Sequence, residues 1–384
     1  MEGVNKLTSN IASYFTQDTI GNSMTVFILL LSAIGIIVFI IGYRALKNKL
    51  FVQCDKINNV PPKNLLPITN SDIYNYPVNF YYIKSSYNSC SVGSYVADYV
   101  SLCILEKIIS QGVRCFDFEI FNINDVAVIS TSLVSDTRIK ETLNYVLFSD
   151  AMMTITNQAF NSLNCSNYTD PVFISLRMKT NSEIVYNNIA NILAEYQNKY
   201  LLDPNQSYTQ NNNNFCSKTI LKTLMNKIVI MVSSPATILE SSNLKQYVNV
   251  LTGPSTVSFK YETFLSVNTD SKTDTITYAK EKTIFVTPNI QNGDPENPDP
   301  IVCLGLGIQF IGMSYQKIGD GNLDAYQGFF DKYKNAFIMK NSDLLPHKTI
   351  VSVTVPDESA DPHQCNKIMM GDKVVGEFGS GCAE

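Results

Sequence analysis

A chain of 384 residues with 16 % charged positions, a formal net charge of −5 and no tryptophan has no basic field to follow a phosphate backbone, which argues against a nucleic-acid partner. Its length suits one large domain with appendages or two modest domains. Asparagine and tyrosine are heavily used, and the asparagine run at 211–214 reads as a disordered loop tip produced by compositional bias.

Residues 1–23 are a short polar lead. Residues 24–43 then read MTVFILLLSAIGIIVFIIGY, with no charge between Asp18 and Arg44. That length matches the ~20 apolar residues needed to cross a bilayer core. A cleaved signal peptide would be shorter, basic at its start and closed by small residues, so a retained transmembrane helix is expected. Arg44, Lys47, Lys49 and Lys56 follow it, whereas only Lys6 precedes it, beside Glu2 and Asp18. The positive-inside rule therefore predicts a single-pass protein with its large C-terminal part on the cytoplasmic side. Nine scattered cysteines would there be mostly free thiols. The sequons at Asn164, Asn167 and Asn205 point the other way and are read as chance matches in an Asn-rich chain.

Residues 44–77 form a tether whose Pro61, Pro62 and Pro67 forbid a regular helix over PPKNLLPITNSD. Beyond it, strands and helices alternate. NFYYIKS reads as a strand, and residues 92–109 as a helix with Val96, Val100, Cys103, Ile104 and Ile108 on one face and Gly112 as its stop. RCFDFEIF and VAVIS are strands, residues 137–163 hold helical stretches, and VFISLR is a strand. A helix follows over 182–200, with Ile189, Ile192, Leu193 and Tyr196 inward. KIVIMVS, TIFVTP, IQFIGMSY and NAFIMK are the later strands, with no clear helical signal between 250 and 282. Alternation sustained over about 270 residues predicts a parallel α/β barrel. No GxGxxG follows the first strand, which argues against a dinucleotide-binding domain. GDPENPDP, at 293–300, is an exposed loop by composition. In the tail, Cys365 and Cys382 are candidates to pair or to hold a metal with His363; their spacing matches no zinc pattern, and an unstructured tail is the simpler expectation.

The chemistry is concentrated in RCFDFEIF. Period-two alternation puts Phe116, Phe118 and Ile120 toward the helices and Asp117 and Glu119 toward the barrel interior or mouth. Two inward carboxylates are costly unless a metal cation or an arginine meets them; the alternative is a structural place at a solvated rim.

YYIKSSYNS followed by GVRCFDFEIFN resembles the start of the catalytic barrel of phosphoinositide-specific phospholipase C, whose X region carries Ser-Ser-His-Asn-Thr and then Arg-Cys-Val-Glu-Leu-Asp. DPVFISLRMK and NKIVIMV are similar to two further strands of that family, and residues 311–345 resemble the close of its Y region. The likeness spans 78–346, leaving 347–384 as a C-terminal tail. It implies a (β/α)8 TIM-barrel-like phosphodiesterase fold behind a single N-terminal transmembrane helix.

The family's reaction, as the resemblance implies, uses two histidines and a Ca2+ held by Asn, Glu, Asp and a further Glu. Carried over position by position, the first histidine is Tyr87 and the second falls near Ser130. The calcium asparagine is kept as Asn88, and the acidic pair is swapped as Asp117 and Glu119. The fourth calcium ligand is Arg177, the phosphate lysine is Met231, and the family's arginine and tyrosine become Phe285 and Thr287. The only histidines, His347 and His363, lie beyond the barrel. Without imidazole, roughly 10²–10⁴-fold of acid–base help per group is absent. Only three calcium donors remain, so Ca2+ is doubtful and a permanent ion pair of Asn88, Asp117 and Glu119 with Arg177 is expected instead. The leading expectation is a membrane-anchored pseudoenzyme acting as a scaffold toward a protein partner or a phospholipid headgroup. The alternatives are a phosphodiesterase that uses Tyr87 and Arg177 in place of histidine and calcium, and a virion membrane or minor capsid protein. The chain resembles, in its span and AT-rich composition, membrane proteins of large DNA viruses.

Overall fold

A computed structural model describes residues 17–133, 139–253, 256, 258–346, 366–370 and 372–378. His347, His363, Cys365 and Cys382 lie outside the described residues. Two compact units are present, residues 1–345 and 346–384. In the second, Asn366–Met370 and Lys373–Phe378 pair as an antiparallel hairpin.

The first unit opens with α1, a continuous helix over Gln17–Asn58. Its Met24–Asn58 part is long and apolar enough to cross a membrane, and residues 24–43 are exposed throughout. The helix runs on for four turns into the stretch expected to be tether, and the prolines end it only near residue 60.

Thirteen strands follow among the described residues of this unit: β1 (Tyr81–Ser86), β2 (Cys115–Ile123), β3 (Val126–Ser130), β4 (Val146–Leu147), β5 (Val172–Met178), β6 (Ile228–Ser233), β7 (Val250–Thr252), β8 (Phe259–Thr263), β9 (Thr283–Thr287), β10 (Asn289–Gln291), β11 (Asp294–Glu296), β12 (Phe310–Met313) and β13 (Phe337–Met339). Eight of them lie in the order β7-β6-β5-β2-β1-β12-β9-β8, parallel at every pairing, as a nearly closed TIM-like barrel. Among the described residues no ladder joins β7 to β8. β13 instead runs antiparallel to the start of β1, and β3 extends the upper half of β2 as a hairpin, with Ser130 opposite Glu119.

Alternation sorts the barrel into two apolar regions. Outward residues such as Phe116, Phe118, Ile120, Ile174 and Ile230 pack against the helices. Inward residues fill the lumen: Tyr81, Ile83, Cys115, Phe173, Met231, Phe259, Phe285 and Phe310. Phe285 stacks between Tyr261, 4.6 Å away at 8°, and Phe310, 5.8 Å away at 6°. Gly312 is needed beside this stack, because a Cβ there would lie 2.6 Å from the Phe285 ring and 3.1 Å from Tyr87 Cβ.

Several expectations are corrected. The helix read over 92–109 is α2 (Leu102–Ser110), capped by the Ser101 side chain. Residues 87–101 form an irregular loop in which Asn88 and Ala97 take positive φ, which a helix forbids, although Val100 is buried as the pattern required. In 137–163 the helix is α3 (Phe148–Gln158), and 182–200 shortens to α4 (Glu183–Ala194). β7 and β8 fall in the region without a clear signal. The asparagine run is ordered: Asn213 pairs through its amide with both N–H and C=O of Leu251, capping the free edge of β7. GDPENPDP is not a simple exposed loop, since it holds β11 and the buried Asn297, which bonds the Ser314 backbone at 2.7 Å.

Two lysines, Lys84 and Lys340, are buried, and among the described residues neither has a carboxylate within ion-pair distance; Lys84 Nζ donates to Gln111 O at 2.8 Å and Lys340 Nζ to Ala279 O at 3.1 Å. Burial pushes both ammonium groups down to about 7. Since the unfolded chain binds these protons up to the ordinary lysine range, the contribution to stability is full at alkaline pH and declines as pH falls toward 7. Urea unfolding of Lys340→Met against wild type, at about pH 9.5 and about pH 7, should show the variant gaining by up to about 1.4 kcal/mol per pH unit crossed.

Candidate functional site

β2 and β5 pair in parallel with Asp117 opposite Ser175 and Glu119 opposite Arg177. All four side chains therefore enter the barrel mouth on one face, two layers of the same lumen. β1 brings the chain over this point, and Asn88 turns it there with φ of 44° while Ser89 N donates to Asp117 O at 2.8 Å.

The Arg177 guanidinium occupies the centre. Its Nη2 donates to Asp117 Oδ1 at 2.8 Å and to Asn88 Oδ1 at 2.7 Å, its Nη1 to Glu119 Oε1 at 2.5 Å, and its Nε to Asp117 at 3.1 Å. The Tyr87 ring closes one side, with the guanidinium carbon 4.3 Å from its centroid. Side-chain exposure is 0 % for Asp117, 3 % for Glu119 and 14 % for Arg177, so the charges meet out of water. Burial works against the Arg177 charge, but Asp117, with Tyr87 and Glu119, outweighs it and holds the guanidinium protonated well above its usual range.

The remaining carboxylate valences are also taken. Asp117 Oδ2 accepts from Ser175 Oγ at 3.0 Å and from Tyr261 Oη at 2.5 Å, and Glu119 Oε2 accepts from Ser132 N at 2.9 Å. Lys179 Nζ stands 3.8 Å from Glu119. Burial pushes the Tyr87 and Tyr261 phenols well above their usual range, so both stay protonated near neutrality. Ser130 lies beside Glu119 in register, but its hydroxyl pairs with Thr142. Met231 and Phe285 are sealed in the lumen, and Thr287 donates to Glu262 O at 3.3 Å.

Residues 74–234 match the family model for the X domain of phosphatidylinositol-specific phospholipase C. That stretch is assigned to the X-domain family. The crystal structure of L. pealei PLC21 is similar at TM-score 0.56 and 16 % identity, covering 74 % of this chain and 39 % of that one. S. officinalis PLC21 is similar at TM-score 0.53 and 16 % identity, with the same 74 % and 39 % coverage. The chain thus spans 39 % of the length of these relatives, and at such identity the likeness carries the fold alone. A calcium-dependent phosphoinositol-specific phospholipase C from a Gram-negative bacterium, Pseudomonas sp, matches at TM-score 0.43 and 10 % identity, over 67 % of this chain and 97 % of that one. No curated protein matches the sequence.

In this barrel, Tyr87, Asn88, Asp117, Glu119 and Arg177 converge at the mouth. Ca2+ does not fit the donor set they form. The cation wants six to eight oxygens, whereas both Asp117 oxygens, both Glu119 oxygens and Asn88 Oδ1 already accept from protein donors, and Arg177 supplies bonds to all three side chains. Sequence reasoning missed Ser175 and Tyr261. The first was visible, since it lies two residues before Arg177 on the same strand face; the second sits on β8, which has no strand pattern. A cavity of about 520 Å3 opens elsewhere, between the last turns of α1 and the loop at 316–320, and none of its lining residues belongs to the Arg177 cluster.

Removing the guanidinium would leave two buried carboxylates facing each other. Arg177→Ala should lower the unfolding free energy by about 3–5 kcal/mol, and adding Asp117→Asn should restore part of that loss; chemical denaturation of the single and double variants measures both.

Proposed function

We propose that the chain is a membrane-anchored phospholipase-C-like barrel without phosphodiesterase activity, serving as a binding or structural scaffold at a membrane surface. The observation that carries this is the Arg177 guanidinium, held by Asn88, Asp117 and Glu119 at the position where the family resemblance puts a cation and its fourth ligand. General acid–base work near neutral pH needs a group that titrates there; the phenols at the site are pushed upward by burial, and the two histidines lie outside the described residues. A partner protein or a phospholipid headgroup would then be bound by the barrel's outer surface or rim rather than processed in its mouth. One setting for such a scaffold is the virion membrane of a large DNA virus, which recovery of the chain in purified particles would test.

The purified protein should release no inositol phosphate from phosphoinositide vesicles above the no-protein rate, with Ca2+ or with EGTA, and Ca2+ should leave its melting temperature unchanged. Turnover abolished by EGTA, or by Tyr87→Phe and Arg177→Ala, would establish an enzyme instead.

The side of the membrane rests on two features that disagree. The basic flank after residue 43 favours the cytoplasmic side. Lys49, however, is engaged with Asp98 at 2.8 Å, and Cys54 is bonded to Cys103, a link that a reducing cytosol removes. The other five described cysteines are buried and free, as expected. Of the sequons, Asn167 is fully buried and bonded to Asp170 at 2.9 Å, so only the exposed Asn164 and Asn205 are accessible to a glycan. Protease added to intact right-side-out cells expressing the chain should leave the barrel uncut if it is cytoplasmic; cleavage from outside, together with a glycan at Asn164 or Asn205, would place it on the opposite side.

A further inference from the structure

The contacts of α1 give a direction. Descending the chain, Lys63 N donates to Ser110 O at the end of α2, and Val60 O accepts from Lys107 Nζ. Cys54 is bonded to Cys103 in the first turn of α2 and reaches Ser101. Gln53 Nε2 and Lys49 Nζ then meet the Asp98 carboxylate, at 3.1 and 2.8 Å, in the loop that follows β1. The helix therefore climbs antiparallel to α2 from the base of the barrel toward its mouth, and residues before Lys49 project past the mouth. The apolar stretch ends at Tyr43, six residues further on, which is about 9 Å of helix.

We infer that the Cys54–Cys103 bond and the Asp98 contacts clamp the apolar helix to the barrel so that the mouth is held against the bilayer the helix spans. The inference rests on the membrane-anchor reading above. At this end of the barrel, Leu133, Ile139, Leu143, Tyr145 and Leu265 are 40–61 % exposed. Three of them are tied to the clamp itself: Leu143 N donates to Asp98 O, and Ile139 and Tyr145 flank it in the segment whose Glu141 O accepts from Ala97 N. Exposure alone does not choose an end, since Leu66, Ile73 and Leu163 are exposed at the other; the direction of α1 does. The occupant is the hydrocarbon boundary of the same membrane, because the clamp leaves only a few helical turns between the span and this rim, and large apolar side chains at that depth are favoured over water.

The chain has no tryptophan, so single tryptophans report their surroundings without background. Leu143→Trp at the rim and Leu163→Trp at the base both replace exposed residues. In the full-length protein reconstituted into phosphatidylcholine–phosphatidylglycerol vesicles with brominated acyl chains, Leu143→Trp should lose emission and shift to the blue, and Leu163→Trp should do neither. Combining Leu143→Trp with Cys54→Ser and Cys103→Ser should remove most of that quenching while the barrel's urea midpoint persists. Co-flotation with the vesicles after an alkaline wash, without quenching at Leu143→Trp, overturns the orientation and spares the anchor. Quenching at Leu163→Trp does the same. Failure to co-float overturns the anchor itself. Full quenching in the serine variant overturns the role of the clamp.

Discussion

One positive charge holds the mouth of this barrel together. Asp117 and Glu119 point inward because their strand alternates, and neither can turn outward without taking Phe116, Phe118 and Ile120 off the helix layer. Their charges have to be met inside. Arg177 meets them from the neighbouring strand in register, and its planar fork reaches two carboxylates and one amide at once. A lysine at this position would offer a point charge and lose the geometry. The aromatic stack below, the Tyr87 lid beside it and Gly312 at the contact all assume that this guanidinium is present.

A second constraint comes from outside the barrel. The last turns of α1 are fixed by a covalent bond to α2 and by Lys49 and Gln53 on Asp98. The same Asp98 loop supports the 139–145 segment and, through Tyr95 N and Gly293 O at 2.8 Å, the β10–β11 hairpin. The mouth loops are thus one connected layer, and the helix is anchored to that layer rather than to the base.

Much of the barrel was legible because buried parallel strands write themselves as apolar runs: RCFDFEIF, VFISLR and KIVIMVS are unmistakable. Period two also separates Asp117 and Glu119 from Phe116 and Phe118, and the position of Arg177 makes an ion pair readable in the sequence. β8 was not legible. Its FKYET is short and only its first residue is buried, so neither alternation nor an apolar run marks it, and Tyr261 was lost with it. The loop at 87–101 misled for a different reason. Its apolar residues face the core at helical spacing by coincidence, while the positive φ values at Asn88 and Ala97 leave no trace in composition. Nine cysteines gave no hint of which two would meet, because Cys54 and Cys103 are 49 residues apart and become neighbours only through the packing of α1 on α2.

The Arg177 cluster also limits what position 177 can become. Suppose a mutation placed an acidic side chain at 177. Three carboxylates would then crowd one dry pocket, and until a divalent ion was captured the fold itself would suffer. Tyr87, Ser130, Met231 and Phe285, all buried, would still surround it. Such a chain is worse folded than its parent until that charge is met. The guanidinium is therefore held in place by the fold alone: two carboxylates fixed inward by strand alternation make any neutral or acidic replacement at 177 costly, whatever the barrel binds.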